Sequence, residues 1–196
     1  MSAGRRIVVI AGLLSVIALG ALFATFMWTT RWSGRATTST TASAATPPPA
    51  APAEPGRRIK ARLFYIAAGG TKLTSVERDV AFGASAVEQA RKIISAQIAP
   101  VIEPLVSAVP AGTALRAVFI TEGGEAYVDL SREVVAAHPG GTINEMLSIY
   151  TLVNALTENL PAVTAVQVLV DGKEVETLAG HVDLRRPLAK NLAWVE

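Results

Sequence analysis

Residues 140–159, GGTINEMLSIYTLVNALTEN, and residues 163–173, VTAVQVLVDGK, decide the fold between them. In the first stretch Thr142, with Glu145 three residues later, is a capping-box signature directly before a long apolar-periodic run. That predicts a helix from Thr142 to about Asn159. Ile143, Met146, Leu147, Tyr150 and Val153 form one stripe, and Ile149, Leu152 and Leu156 widen it. A helix apolar over most of its circumference is buried on most sides, so this one is expected to sit centrally, with Pro161 marking its exit. In the second stretch Val163 to Val170 is rich in β-branched residues and reads as a strand. Asp171-Gly172 closes it with a turn that needs positive φ, and Lys173 leads into Val175 to Leu178 as a hairpin partner.

Upstream, Lys60 to Ala67 (KARLFYIA) alternates and runs into Gly69-Gly70, and Lys72 to Val80 resumes strand-like spacing, which predicts a hairpin. From Ala84 onward Val87, Ala90, Ile94 and Ile98 fall at helical spacing until Pro100 and Pro104 interrupt it. After the turn-like Pro110-Ala-Gly112, the segments Ala114 to Thr121 and Glu125 to Leu130 flank Glu122-Gly123-Gly124 as a second hairpin. Ala126, Val128 and Leu130 share one face there. The order is strand, strand, helix, strand, strand, helix, strand, strand. It predicts an α+β domain with a mostly antiparallel sheet and two helices on one face. About 138 residues from Ile59 onward suffice for one core of ordinary size.

Several short motifs recur in one order: Pro110-Ala-Gly112-Thr113, Ala126-Tyr-Val128-Asp129-Leu130-Ser131, and Gly140-Gly141 ahead of Tyr150-Thr-Leu-Val-Asn154-Ala-Leu-Thr-Glu158. Val166-Gln167-Val-Leu-Val-Asp171-Gly172-Lys173 and Leu178-Ala-Gly180-His181-Val-Asp183-Leu184 complete the series. In this the chain resembles the GerMN domain family, over essentially the whole segment 59–188. One departure is Glu103-Pro104-Leu105-Val-Ser107, where the family often has a glycine-containing turn. The resemblance implies an exported, membrane-attached module that serves as a scaffold or accessory in envelope, sporulation or germination-related assemblies. It implies no enzymatic activity.

The first third of the chain supplies an address. Arg5 and Arg6 precede an uncharged apolar run from Ile7 to Trp28, and roughly twenty helical residues span a hydrocarbon core of about 30 Å. The reading is a short cytoplasmic tail (1–6), a transmembrane signal-anchor (7–28), a Thr/Ser/Ala/Pro-rich tether (29–58), the GerMN-like domain (59–188) and a C-terminal tail (189–196), with the domain outside the cytoplasm. Arg31 and Arg35 flank the far side of the run, so charge alone sets the orientation weakly. The alternative is a cleaved signal peptide, whose apolar core is ordinarily about 7 to 15 residues with a small-residue site close behind. Here the core is longer, and the small-residue tract Ala42 to Ala45 lies well beyond it. The tether contains Pro47, Pro48, Pro49, Pro52 and Pro55 and too few large apolar residues to form a core. Its role is reach, and a proline-rich ligand for a recognition module is the rival reading.

Charge and composition remove several function classes. The chain has no cysteine, so a disulfide, a thiol nucleophile and attachment through a lipid-modified Cys are all excluded. Six Arg against Glu54 give +5 before Ile59, whereas 12 basic against 15 acidic residues give −3 from there on. The basic excess flanks the anchor, and a nucleic-acid surface is not expected. His138 and His181 are the only histidines. They stand far apart with no metal-ligand spacing around them. Asp129 and Asp183 at strand ends read as turn-capping residues rather than an acid/base pair. Asn154, among apolar helix positions, is expected to bond the backbone of an adjoining strand or loop, and Thr142 to occupy the amide donors at its helix start. No catalytic, cofactor-binding or metal-ligating residue is assigned.

The expectation is an interaction module that binds envelope proteins through an open sheet face or edge strand. Peptidoglycan or another envelope glycan is the alternative, and would use exposed aromatics among Phe64, Tyr65, Phe82, Phe119, Tyr127, Tyr150 and Trp194, most of which read as core. A cell-wall hydrolase would cluster Asp129, His181 and Asp183 in a cleft.

Overall fold

The computed structural model describes residues 56–196. The expected tail, anchor and most of the tether lie outside the described residues. Among the described residues no helix is long and apolar enough to cross a membrane.

The domain opens with a hairpin, β1 (Arg58–Ile66) and β2 (Leu73–Ala81), paired antiparallel from Arg58 opposite Ala81 to Ile66 opposite Leu73. Helix α1 (Ala86–Gln97) follows, its start capped by the Ser85 hydroxyl accepting from the Glu88 N–H. Then come β3 (Leu115–Ile120), β4 (Glu125–Leu130), a single-turn α2 (Glu133–Ala136), the long α3 (Thr142–Asn159) and β5 (Ala165–Val170). Two-residue strands β6 (Lys173–Glu174) and β7 (Leu188–Ala189) and a 3-10 turn (Leu192–Trp194) complete the chain.

The α+β class is as expected, but the strands do not form one sheet. β1 and β2 make a sheet of their own, while β3, β4, β5 and β6 form a second one in that order, with β7 also on β5. The central pair β4–β5 is parallel, from Glu125 opposite Ala165 to Leu130 opposite Val170. Hairpins turn the chain back on itself, but α3 sits between β4 and β5 and carries the chain across, so β5 re-enters in the same direction. Gly124 starts this pairing: its carbonyl accepts from the Thr164 N–H at 2.8 Å. Its φ is +84°, and a Cβ there would meet the Ala162 carbonyl oxygen at 2.6 Å. Asp171 and Gly172, with φ of 49° and 77°, make the β5–β6 turn as expected.

Ala126, Val128 and Leu130 on β4 and Val166 and Val168 on β5 point into the core with Leu147, Ile149, Leu152, Val153 and Leu156 of α3. From Leu147 to Thr157 every residue but half-buried Tyr150 is buried, which bears out the central helix. Ile143 departs from the expected stripe, since it lies on the exposed first turn.

Candidate interaction site

Sheet edges offer rows of unpaired backbone groups to partners, and any that are buried must be satisfied within the domain. The outer edge of β1 is closed by side-chain amides. Gln97 at the end of α1 accepts from the Phe64 N–H at 2.8 Å and donates to the Phe64 carbonyl at 2.7 Å. Asn159 at the end of α3 does the same to Arg62, at 2.8 and 2.7 Å, and the Val106 carbonyl accepts from the Ile66 N–H at 2.8 Å. An amide carries the same donor and acceptor as a peptide group, so two side chains and one loop residue stand in for a third strand. Gln89 of α1 repeats the device on the chain leaving β2, accepting from the Gly83 N–H and donating to the Ala81 carbonyl.

The edge of β2 is partly occupied too. The Glu196 N–H donates to the Leu73 carbonyl, and the Arg58 guanidinium donates to the Asp79 carbonyl. On the second sheet α1 packs against β3, where Val118 is buried, and β6 and β7 cover the two ends of β5. The longest stretch of β2 left without such a partner is the short one around Ser75 and Glu77.

Glu145 corrects the capping-box reading. The residue at the start of α3 is Gly141, with no side-chain cap, and Thr142 is exposed. The Glu145 side chain is fully buried and turns instead to the segment after β6. It accepts from the N–H groups of Leu178 (2.7 Å), Ala179 (2.8 Å) and His181 (2.8 Å), with His181 Nδ1 at 3.2 Å. Burial pushes its pKa up, but these donors outweigh it and hold the carboxyl below its ordinary value. Val175 to Leu178 does not extend as the strand expected from its pattern: β6 ends at Glu174, and the Leu178 N–H serves Glu145 rather than a sheet ladder.

His138, Asp129 and Asp183 are each engaged within the fold. The His138 ring accepts from the Gly140 N–H at Nδ1 (3.0 Å) and so donates from Nε2 to the Ser148 hydroxyl (3.1 Å), which donates onward to the Ala108 carbonyl. Burial lowers the His138 pKa, in keeping with that neutral form. Asp129 accepts from the Gly172 N–H (2.7 Å) and Arg116 (3.2 Å), and Asp183 grips Arg185 (2.8 Å), which holds its carboxyl well below the usual range. Asp129, Asp183 and His181 share no hydrogen bond, so the constellation expected of a hydrolase is not assembled. Asn154 acts as expected, donating to the Asn191 carbonyl and accepting from its N–H, both at 3.0 Å. This fixes the C-terminal tail in place, with Trp194 partly buried against the core.

Two surfaces of the described residues expose large apolar side chains. The segment 98–112, which contains the Glu103-Pro104 departure noted above, does not form a strand. It folds over a cleft of about 470 Å³ lined by Ile66, Ile98, Val101, Leu105, Val109 and Asn144 among others, none of them charged. Two apolar side chains of the same segment stand in solvent, Ile102 at 84% exposure and Val106 at 52%. The second surface is the face of the larger sheet turned away from α3. Phe119 there is 59% exposed, opposite half-buried Tyr127, whereas Phe64 and Tyr65 are fully buried. Phe119 therefore departs from the core reading.

The family model for Germane, described as sporulation and spore germination, matches residues 62–176. The chain belongs to the Germane family. Tandem GerMN domains of the sporulation protein GerM from Bacillus subtilis align with a TM-score of 0.53 and 17% identity, over 68% of this chain and 46% of that one. The first GerMN domain of the same protein gives 0.48 and 19%, over 67% and 97% of the two chains. A protein from Clostridium perfringens described as a candidate lipoprotein gives 0.48 and 20%, over 68% and 88%. No curated protein matches the chain. The matched residues take in most of the first hairpin, both main helices and the parallel pair, and the match ends just before the segment 178–181 that Glu145 holds.

Proposed function

We propose that this Germane-family protein is a single-pass, membrane-tethered interaction module that presents its domain outside the cytoplasm and docks envelope proteins through the uncharged cleft under residues 98–112. The apolar run Ile7 to Trp28 with its Arg flanks supports the anchor, and the Pro-rich stretch after it supports the reach. The observation that carries the docking reading is the pair Ile102 and Val106, large apolar side chains held in water, Val106 on the lining of an apolar hollow and Ile102 next in chain to its lining residue Val101. Leaving them exposed forgoes roughly 1.5–3 kcal/mol each relative to burial, which a partner recovers. The edge of β1 is closed by amides and that of β2 largely occupied, which leaves strand addition to the outer edge of β3, and the exposed apolar side chains favour insertion into the cleft region instead. A role without catalysis is supported by the engagement of Asp129, Asp183, His138 and Glu145 in holding the fold.

The test is in-cell crosslinking of the full-length protein followed by mass spectrometry, comparing the parent chain with Ile102→Asp/Val106→Asp. Specific envelope proteins enriched with the parent and lost with the variant support the reading. Enrichment that survives the variant sinks it. A second reading, recognition of an envelope glycan, draws on Phe119 beside Tyr127, since an exposed aromatic can stack on a sugar face. Wall fragments that co-purify with the parent and are lost with Phe119→Ala would favour it.

A further inference from the structure

We infer that the end of the domain where the tether joins is a docking face for the anionic phosphate headgroups of the membrane itself, so that the module sits on the bilayer with its cleft turned outward. The inference rests on the anchored reading above. Gly56, the first described residue, is followed by Arg57 and Arg58, so the N-terminal 55 residues enter the domain here. Arg58 lines a shallow hollow of about 430 Å³ with Asp79 of β2 and with Arg91, Lys92 and Ser95 of α1. Arg57 lies over the Phe82 ring, 4.0 Å from its centroid, and Lys60 pairs with Asp79 at 2.9 Å. Lys92 pairs with Glu88 at 3.3 Å. Among the described residues no carboxylate lies within ion-pair distance of Arg57, Arg58 or Arg91.

The local balance is therefore five cations, Arg57, Arg58, Lys60, Arg91 and Lys92, against Asp79 and Glu88. The rest of the domain from Ile59 onward has nine basic and thirteen acidic residues. One end is positive on a domain otherwise negative, which orients it in the field of an anionic surface. Position strengthens the argument. β1 runs from Arg58 in this patch to Ile66 on the cleft, eight strand steps or roughly 26 Å. With the patch on the membrane, the cleft faces away from it. Residues 29–55 limit the patch to at most about 95 Å from the anchor, even fully extended. Confinement of that kind lets weak attractions decide where the domain rests. Each Lys or Arg near an anionic leaflet contributes roughly a five-fold bias at modest salt.

The test uses the full-length chain, whose lack of cysteine allows a single label at Ser95→Cys. The labelled protein is reconstituted into phosphatidylcholine vesicles with or without 30% phosphatidylglycerol, and energy transfer to a membrane dye reports the distance of the patch. Flotation with the vesicles tests the anchor separately. The inference predicts high transfer only with phosphatidylglycerol, loss of that gain at 0.5 M salt, and loss in Arg91→Glu/Lys92→Glu with an unchanged circular dichroism spectrum. Equal transfer in both lipids, or no effect of the charge reversal, overturns it while flotation leaves the anchor standing. Failure to float overturns both. Transfer that ignores phosphatidylglycerol while soluble poly(glycerol phosphate) quenches the label would assign the patch to a wall polymer and overturn the lipid assignment.

Discussion

Replacing Gln97 by Leu removes the closure of the β1 edge while nearly conserving volume, and its cost follows from the geometry. Gln97 and Phe64 are both fully buried, and the amide makes bonds of 2.8 and 2.7 Å to the Phe64 N–H and carbonyl. Leu leaves both backbone groups in a dry site without partners, at about 1–3 kcal/mol each, against which its greater hydrophobicity returns about 1–2. The expected net loss is about 3 kcal/mol, or roughly 10 °C in Tm for a domain of this size. Asn159 supplies an internal control. Its two bonds to Arg62 have the same lengths, but Arg62 is exposed and water can replace the amide. Asn159→Leu should therefore cost less than about 1.5 kcal/mol. Gln97→Glu should be worse than Gln97→Leu at neutral pH, since it sets a carboxylate against the Phe64 carbonyl in a buried site. Urea unfolding followed by circular dichroism measures all three. If Gln97→Leu and Asn159→Leu cost the same, burial is not what makes the clasp matter and the reasoning is wrong.

Glu145→Gln turns an amide NH2 toward either the Leu178 and Ala179 N–H groups or that of His181. It should cost about 2–3 kcal/mol and strip hydrogen-exchange protection from residues 178–181 while sparing β4; unchanged exchange there would contradict the clasp. Its lowered pKa adds stability that is present above the unfolded value near 4.3 and lost as pH falls through the folded one, an acid limb that the variant should flatten. His138 is held neutral, so its folded pKa lies below the unfolded value of about 6.5. Stability from this residue is complete above that value and declines as pH falls through the folded pKa, and the slope between pH 7 and 5 should shrink in His138→Gln. Tyr65 is fully buried with no partner for its hydroxyl. Tyr65→Phe should leave Tm unchanged or raise it, and a loss beyond about 1 kcal/mol would reveal a bond the geometry does not show.

Much of the fold is legible in local pattern. The two early hairpins, both main helices and the Asp171-Gly172 turn follow from alternation, helical spacing, glycines that need positive φ and prolines that stop helices. What local pattern misread involves groups whose partners lie far along the chain. Glu145 has the spacing of a capping box, but its acceptors serve N–H groups more than thirty residues later. Gln89, Gln97 and Asn159 look like ordinary polar helix positions, and only the strand beside each makes it an edge clasp. Phe119 looks like core because it stands in an apolar strand. Nothing in that strand tells which face the sheet leaves uncovered.

The candidate sites divide the same way. The Arg57-Arg58 pair and the departure at Glu103-Pro104 can be read directly, but the meeting of Arg58 with Arg91 and Lys92, and the hollow roofed by residues 98–112, exist only once α1 is laid against the hairpin. Backbone preference and hydrophobic period act over a few residues, so the sequence by itself determined where the two main helices, the five longer strands and most turns lie, though not the fate of Val175 to Leu178 or which face of β3 is covered. The split into two sheets, the parallel β4–β5 pair and the partners of each buried polar group depend on which segments bury one another's surfaces. Those were decided only by the tertiary structure, because burial and the satisfaction of hydrogen bonds are properties of the packed chain.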